Sequence, residues 1–366
     1  MTSKQADNVT MSGGGVYSLA TRGAKDVIDA ATPRVLEAVN QLGLSPASER
    51  FTMADMGCAD GGTSLDMVRG VLGRVRELSP AVQSTVIYAD QPGNDYNALV
   101  GILHGRTRFH SWLGEIEQAW PVFSGSSFYL QCVPDGMLDL VFSATAMHWL
   151  STLPCNITGH VHMVGATGGE AETFANQGRR DWESILMLRA RELRPGGRMV
   201  LVNFCRDESG RYLGNTGGVN MFDTFNRIWQ SFLADGRIRE DEYHRMTLPQ
   251  YYRTMEEFSE PLVDPDSACH RAGLRLDSIE TRVVPCPYAE QFRLDGDVGT
   301  FADGLIPTVR SWNQSIFAAG LDPARPAEER AGLIEEFYGA YHRLVLDDPR
   351  GHGMDYVHAH MTISRV

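Results

Sequence analysis

Phe51-Thr52-Met53-Ala54-Asp55-Met56-Gly57-Cys58-Ala59-Asp60-Gly61-Gly62-Thr63 is the stretch on which the fold reading turns. Its first half is a short run that reads as a strand. Its second half breaks into glycines, and residues 64–78 then carry a helical pattern. Strand, sharp turn and helix in this order suit a ligand laid over the turn. Glycine permits backbone angles and a close approach that side chains forbid.

The same alternation extends outward. Ser84-Thr85-Val86-Ile87-Tyr88-Ala89-Asp90, Met137-Leu138-Asp139-Leu140-Val141-Phe142-Ser143 and Arg198-Met199-Val200-Leu201-Val202-Asn203-Phe204 read as further strands. Residues 27–42 and 181–193 read as helices, the first with Pro33 inside it, where the helix is expected to start or kink. Strands alternating with helices over residues 50–205 predict an α/β fold with a mainly parallel sheet. From 206 to 270 the strand signals vanish. Residues 274–286 read as a strand again, and 301–347 as helical, with Leu333, Ile334, Phe337, Tyr341 and Leu344 on one face. Residues 356–363 alternate like a closing strand. The expected organisation is a core of residues 1–205, 271–300 and 350–366. A helical cap of 206–270 and 301–349, discontinuous in sequence, is expected over the sheet's carboxyl edge, where open α/β sheets bind ligands.

The 366 residues carry a formal net charge of −13 and no Lys/Arg-rich run, which argues against nucleic acid as a partner. No apolar stretch approaches a membrane span, and the first residues lack the apolar region of a signal peptide. Cys58, Cys132, Cys155, Cys205, Cys269 and Cys286 form no C-x-x-C pair. They suggest neither a zinc site nor a disulfide framework, and a cytoplasmic location is the simplest expectation.

The turn after residue 56 is not a phosphate-binding loop, because the required lysine is missing. It also lacks the G-x-G-x-x-G spacing of a dinucleotide site, and the candidate acid, Asp90, lies 33 residues after Gly57 rather than about 20. This argues against a nicotinamide-dependent oxidoreductase and for a different nucleoside ligand. A carboxylate at the end of the second strand still suits both ribose hydroxyls. The polar run Asp90-Gln91-Pro92-Gly93-Asn94-Asp95-Tyr96-Asn97 makes a rigid turn there. In Ser143-Ala144-Thr145-Ala146-Met147-His148-Trp149-Leu150-Ser151, His148 and Trp149 are adjacent N–H donors. They suit a carboxylate. They equally describe a core tryptophan beside an incidental histidine.

Taken in order, these segments resemble the salicylic acid, benzoic acid and theobromine (SABATH) methyltransferases. The resemblance rests on Gly13-Gly14-Gly15, on Asp55 through Gly61 and on Asp90 through Asn97. It continues through Ser126-Ser127-Phe128-Tyr129, Ser143 through Ser151, and Glu192-Leu193-Arg194-Pro195-Gly196-Gly197-Arg198-Met199-Val200-Leu201. It implies a Rossmann-like class I methyltransferase core, with a mainly parallel seven-stranded sheet whose last strand is antiparallel, and frequent homodimers. It implies S-adenosylmethionine as cofactor and S-adenosylhomocysteine as product. The acceptor would be a small carboxylic acid, fatty or aromatic, turned into its methyl ester.

By the same resemblance, residues 1–25 form a lid, and Tyr17 or Ser18 sits near the reacting centre. Asp55 and Gly57 line the methionine end, Asp90 binds ribose and Gln91 lies beside the adenine. Ser127 and Phe128 contact the nucleoside, Ser143 belongs to the cofactor side, and His148 and Trp149 meet the acceptor carboxylate. Two departures matter. Lys25 stands where the family has an acceptor-contacting glutamine, and a lysine there would pair with the carboxylate directly. His244-Arg245-Met246-Thr247 before Pro249 lacks the oxygen ligands of the structural metal some members hold, so no metal is expected at that site.

A carboxylate is already ionised at neutral pH, so the expected reaction is a direct in-line displacement without a general base. Alignment of the reacting groups can contribute roughly 7–11 kcal/mol. Two alternatives remain at this stage: N-methylation of a heterocycle such as a xanthine, and a cofactor-binding regulatory protein without catalysis.

Overall fold

The computed structural model describes residues 16–366. The glycine run Gly13-Gly14-Gly15 lies outside the described residues. Helices α1 (Val16–Ala20) and α2 (Arg22–Asn40) lead into β1 (Arg50–Met56), α3 (Leu65–Leu78), β2 (Gln83–Asp90), α4 (Tyr96–Leu103), β3 (Ala119–Gly125) and β4 (Leu138–Ala144). The long α5 (Gly168–Glu192) precedes β5 (Leu193–Phe204). There follow α6 (Met221–Ala234), α7 (Glu240–Arg245), α8 (Met255–Val263), α9 (Ala268–Arg271), β6 (Leu274–Val284), α10 (Pro287–Asp295), α11 (Val298–Gly320), α12 (Ala327–Asp347) and β7 (Tyr356–Arg365).

The strands form one sheet in the order β3-β2-β1-β4-β5-β7-β6. Strands β1 to β5 pair in parallel, and β7 runs antiparallel to both β5 and β6. This is the Rossmann-like sheet with an antiparallel last strand that the sequence led us to expect. Successive side chains of a strand point to opposite faces. Phe51 and Met53 accordingly join the core under α2 and α3, while Ala54 and Met56 join the core under α5, α8 and α9. Both faces are covered, so the central strands read as near-continuous apolar runs.

Helices α6, α11 and α12 share an aromatic core. Trp229 stacks on Phe337 with ring centroids 4.5 Å apart, and Phe317 meets both edge-on. Each such ring contributes about 1.5–3 kcal/mol by burial. The helical layer rests on this cluster.

Several elements differ from the sequence reading. The edge strand β3 went unread because Pro121 and the exposed Trp120 and Val122 break its pattern, and an edge strand tolerates a proline. Helix α2 starts at Arg22 and runs through Pro33. Helix α5 begins at Gly168, well before 181, because among its first thirteen residues only Phe174 and Gly178 are buried. The helical stretch 301–347 is two helices, broken around Pro323 and Pro326. Helices α8 and α9 pack on α5 and β6, whereas α10 packs on α11. Packing therefore groups 255–271 with the sheet and 287–295 with the cap helices.

Candidate active site

A cavity opens at the carboxyl ends of the parallel strands, with about 1160 Å³ of empty space counted to its mouth. The chain turns after β1, β2, β3 and β4 all reach it, as do Tyr17, Thr21, Phe204, Trp312 and Tyr356. A smaller recess lined by Tyr17, Asp55, Gly57 and Ser64 lies beside it, and Thr145 lines both.

The turn after β1 is held open by its backbone. Gly57 has φ +78°, and a Cβ there would stand 2.3 Å from that of Ala146, so only glycine lets the turns after β1 and β4 touch. Asp55 is buried and receives the Ser64 hydroxyl at 2.6 Å. Among the described residues no basic side chain pairs with it. Burial, partly offset by Ser64 and reinforced by the charge of Asp90, pushes its carboxyl up to about 6. A buried carboxylate in this state suits an ammonium group.

Asp90 receives the backbone N–H of Ala59 on Oδ2 and that of Gln91 on Oδ1, both at 2.8 Å. These bonds fix the carboxylate, and each oxygen keeps a lone pair for a ligand hydroxyl. Burial raises its carboxyl, against the pull of the two amides. Gln91 and Asn94 line the cavity beside it.

The wall after β3 carries Ser127, Phe128 and Tyr129. It is pinned from behind by a fully buried ion pair. Arg189 binds Glu192 at 2.6 Å and donates to the carbonyls of Phe128 and Leu130, while Glu192 accepts the Cys132 N–H. Removing one member of such a pair leaves an uncompensated charge, at a cost of about 3–5 kcal/mol.

The turn after β4 presents His148 and Trp149, ring centroids 5.2 Å apart. Thr145, at φ +59°, is a β-branched residue in left-handed backbone. Its N–H bonds to Val202 and holds the turn against β5. The turn is tied to residues 249–253 as well. Leu150 N–H bonds to Pro249, Tyr251 N–H to the His148 carbonyl, and the buried Arg253 guanidinium to the Met147 carbonyl at 3.1 Å. Burial, with the nearby Arg253 charge, pushes the His148 imidazole down to about 3, so the ring is neutral. Its Nδ1 is buried and among the described residues meets no partner. A lone pair there costs less than an unmade N–H bond, which leaves the proton on Nε2.

Three expected residues stand elsewhere. Lys25 is off the cavity lining, because its ammonium is held by Asp29 at 2.7 Å and Asp66 at 2.9 Å. Ser18 turns its hydroxyl and N–H onto the Asp60 carboxylate, which also receives the Gly62 N–H. Ser143 is fully buried and bonds the Met56 carbonyl, joining β4 to β1. Neither serine lines the cavity. Tyr17 does, one turn before Thr21. Unread in the sequence were Trp312, Met354 and Tyr356, which no local motif marks, and Gln250, whose stretch Pro249-Gln250-Tyr251 resembles the family's cap segment without assigning it a role. Among the described residues no cluster of His, Cys, Asp and Glu is arranged for a metal ion.

A family model described as SAM dependent carboxyl methyltransferase matches residues 6–267. The chain belongs to this family. Its chemistry is methyl-ester formation on small carboxylic acids with S-adenosylmethionine as cofactor. The chain is 26% identical to gibberellic acid methyltransferase 1 of Arabidopsis thaliana, covering 69% of this chain and 70% of that protein. It is 27% identical to indole-3-acetate O-methyltransferase 1 of Oryza sativa subsp. japonica, covering 58% and 59%. It is 26% identical to salicylate carboxymethyltransferase of Clarkia breweri, covering 68% of each. A solved structure titled loganic acid methyltransferase with SAH superposes with a TM-score of 0.76 at 22% identity, covering 97% of this chain and 98% of that one. The carboxyl methyltransferase fold thus extends over β6, α10 to α12 and β7, beyond the stretch the family model matches.

Proposed function

We propose that this carboxyl methyltransferase esterifies a fatty or aromatic acid whose body lies among Trp149, Phe204, Trp312 and Tyr356. The observation that carries the reading is the neutral His148 beside Trp149 on a cavity wall shared with the aromatic rings of Phe204, Trp312 and Tyr356. Two neutral N–H donors orient an anion without neutralising it, so the acceptor stays nucleophilic. N-methylation of a heterocycle is the weaker reading, because a ring edge carrying N–H groups needs acceptors opposite it.

The bound cofactor supplies an electrophilic methyl group on a sulfonium. Asp90 holds the ribose hydroxyls, Asp55 the methionine ammonium by way of the small recess, and Gln91 with Phe128 the adenine side. Gly57 lets the backbone come close, and Tyr17 closes the recess. Ser127 borders the nucleoside. His148 and Trp149 hold one oxygen of the acceptor so that the other is free to react. The cap helices and Tyr356 exclude water. The lid expected of residues 1–25 falls largely outside the described residues. We further propose that the division into core and cap follows the packing above and that the enzyme works as a cytoplasmic homodimer. Six free cysteines support the reducing compartment, and the family resemblance supports the dimer. Within the described residues no helix is long and apolar enough to cross a membrane.

The test is incubation with methyl-labelled S-adenosylmethionine and a panel of acids: benzoate, salicylate, indole-3-acetate and straight-chain acids of several lengths, with xanthines as nitrogen controls. Label in a base-labile ester names the acceptor class. Label on a xanthine moves the function to nitrogen.

A further inference from the structure

The lysine at position 25 leaves the acceptor end without the amide that the family resemblance put there. The cavity wall supplies another. Gln250 is buried, lines the cavity and pairs with Trp149 in an isolated β-bridge. Its amide oxygen is doubly engaged, by the Tyr252 hydroxyl at 3.0 Å and by His162 Nε2 at 3.2 Å.

The direction of the second bond follows from the histidine's other side. His162 is fully buried and stacks on Phe222 with ring centroids 3.7 Å apart. Its Nδ1 accepts the Val164 N–H, so the proton of the neutral ring sits on Nε2 and is donated to Gln250. Burial drives this imidazole well below its ordinary range, which keeps the ring neutral. Two donors therefore converge on the amide oxygen. The reverse orientation of the amide would set N–H against N–H. The amide nitrogen is left to the cavity, and among the described residues it bonds no protein group.

We propose that Gln250 is the third donor to the acceptor carboxylate, and that Tyr252 and His162 are positioning residues that aim its amide. The proposal rests on the reading that the acceptor carboxylate meets His148 and Trp149, and it makes that end of the cavity a site for a group that only accepts hydrogen bonds.

Two variants separate recognition from scaffolding. Gln250→Glu keeps an oxygen for Tyr252 and His162 but brings a negative charge to the acceptor. Gln250→Leu keeps the bulk and loses both functions. With the best acid of the panel, both variants are expected to raise the acceptor KM about 10- to 100-fold, Gln250→Glu at least as much as Gln250→Leu. Cofactor Kd, measured by calorimetry, stays within about twofold of wild type. Tyr252→Phe, which retains the amide but loosens its aim, is expected to raise the acceptor KM about threefold. Wild-type kinetics for Gln250→Glu alongside an impaired Gln250→Leu would assign the residue to scaffolding and overturn the proposal, as would unchanged kinetics in both. If Gln250→Leu does not fold, the comparison of Gln250→Glu with Tyr252→Phe decides in the same way. A wild-type enzyme that esterifies none of the acids overturns the underlying reading and this inference with it. Esterification by wild type with unaffected Gln250 variants overturns the inference alone.

Discussion

The two halves of the cavity are built differently. The half proposed for the cofactor comes mainly from the turns after β1, β2 and β3, where backbone amides hold Asp90 and glycine conformation sets the approach. Its residues, from Tyr17 to Phe128, all lie in the first third or so of the chain. The acceptor half is assembled from His148, Trp149, Phe204, Gln250, Trp312 and Tyr356, which span more than half of the chain. The first half depends on local backbone geometry and the second on long-range packing. A sequence can therefore vary its acceptor half by changing helices of the cap while the turns stay as they are.

If the halves are separable, Asp90→Ala should raise the cofactor Kd by about 100-fold or more through the loss of two charge-assisted bonds. The acceptor KM at saturating cofactor should stay within about threefold. Equal damage to both constants would break the comparison. Trp149→Phe keeps an aromatic face and removes one N–H. Single-turnover rates should fall about 10- to 100-fold, with cofactor affinity unchanged by calorimetry.

A third test uses pH. The Asp55 carboxyl sits at about 6, and an ammonium beside it favours the ionised form. Binding therefore releases a proton when the pH lies below that value. Cofactor affinity should be flat above about 6 and fall with acidification, by at most about tenfold per pH unit. The acceptor half, with His148 down at about 3, should contribute no such dependence near neutrality. Titration in buffers of different ionisation enthalpy checks both. The smallest effect is expected for Lys25→Met. Its pairs with Asp29 and Asp66 are partly exposed, so stability should change by less than about 1 kcal/mol. Turnover should stay near wild type, and a large loss of acid turnover would put Lys25 back into the acceptor half.

The same contrast governs what the sequence reveals. Strands β1, β2, β4 and β5 were legible because strands buried on both faces are continuous apolar runs, and Asp55, Gly57, Asp90, His148 and Trp149 sit where such runs end. Strand β3 was hidden by a proline that only an edge position admits. Ser18 and Ser143 have the polar chemistry of ligand contacts, but their hydroxyls are used inside the protein, by Asp60 and by the Met56 carbonyl. Lys25 misled because aligning the start of a helix by motif leaves its face undetermined, and a shift of one residue on a helix turns a side chain by about 100°. Gln250 lies in Pro249-Gln250-Tyr251, a stretch that resembles the family's cap segment but gives the residue no role. Its orientation depends on a histidine 88 residues earlier, whose own tautomer is set by a backbone amide.

The aromatic ring of Tyr356 fills the space where a Cβ of Gly23 would stand, 2.4 Å from its nearest carbon. Helix α2 and the last strand, β7, thus meet at the cavity wall, which Ala24 and Tyr356 line. Ribosomes deliver a chain from its N-terminus, and domains fold as units in that order. The strand carrying Tyr356 is the last of the sheet to emerge, yet it inserts between β5 and β6. A nascent chain therefore holds the turns after β1 to β4 while its sheet is still open, and the cavity is closed only once the strand carrying Tyr356 has joined the sheet.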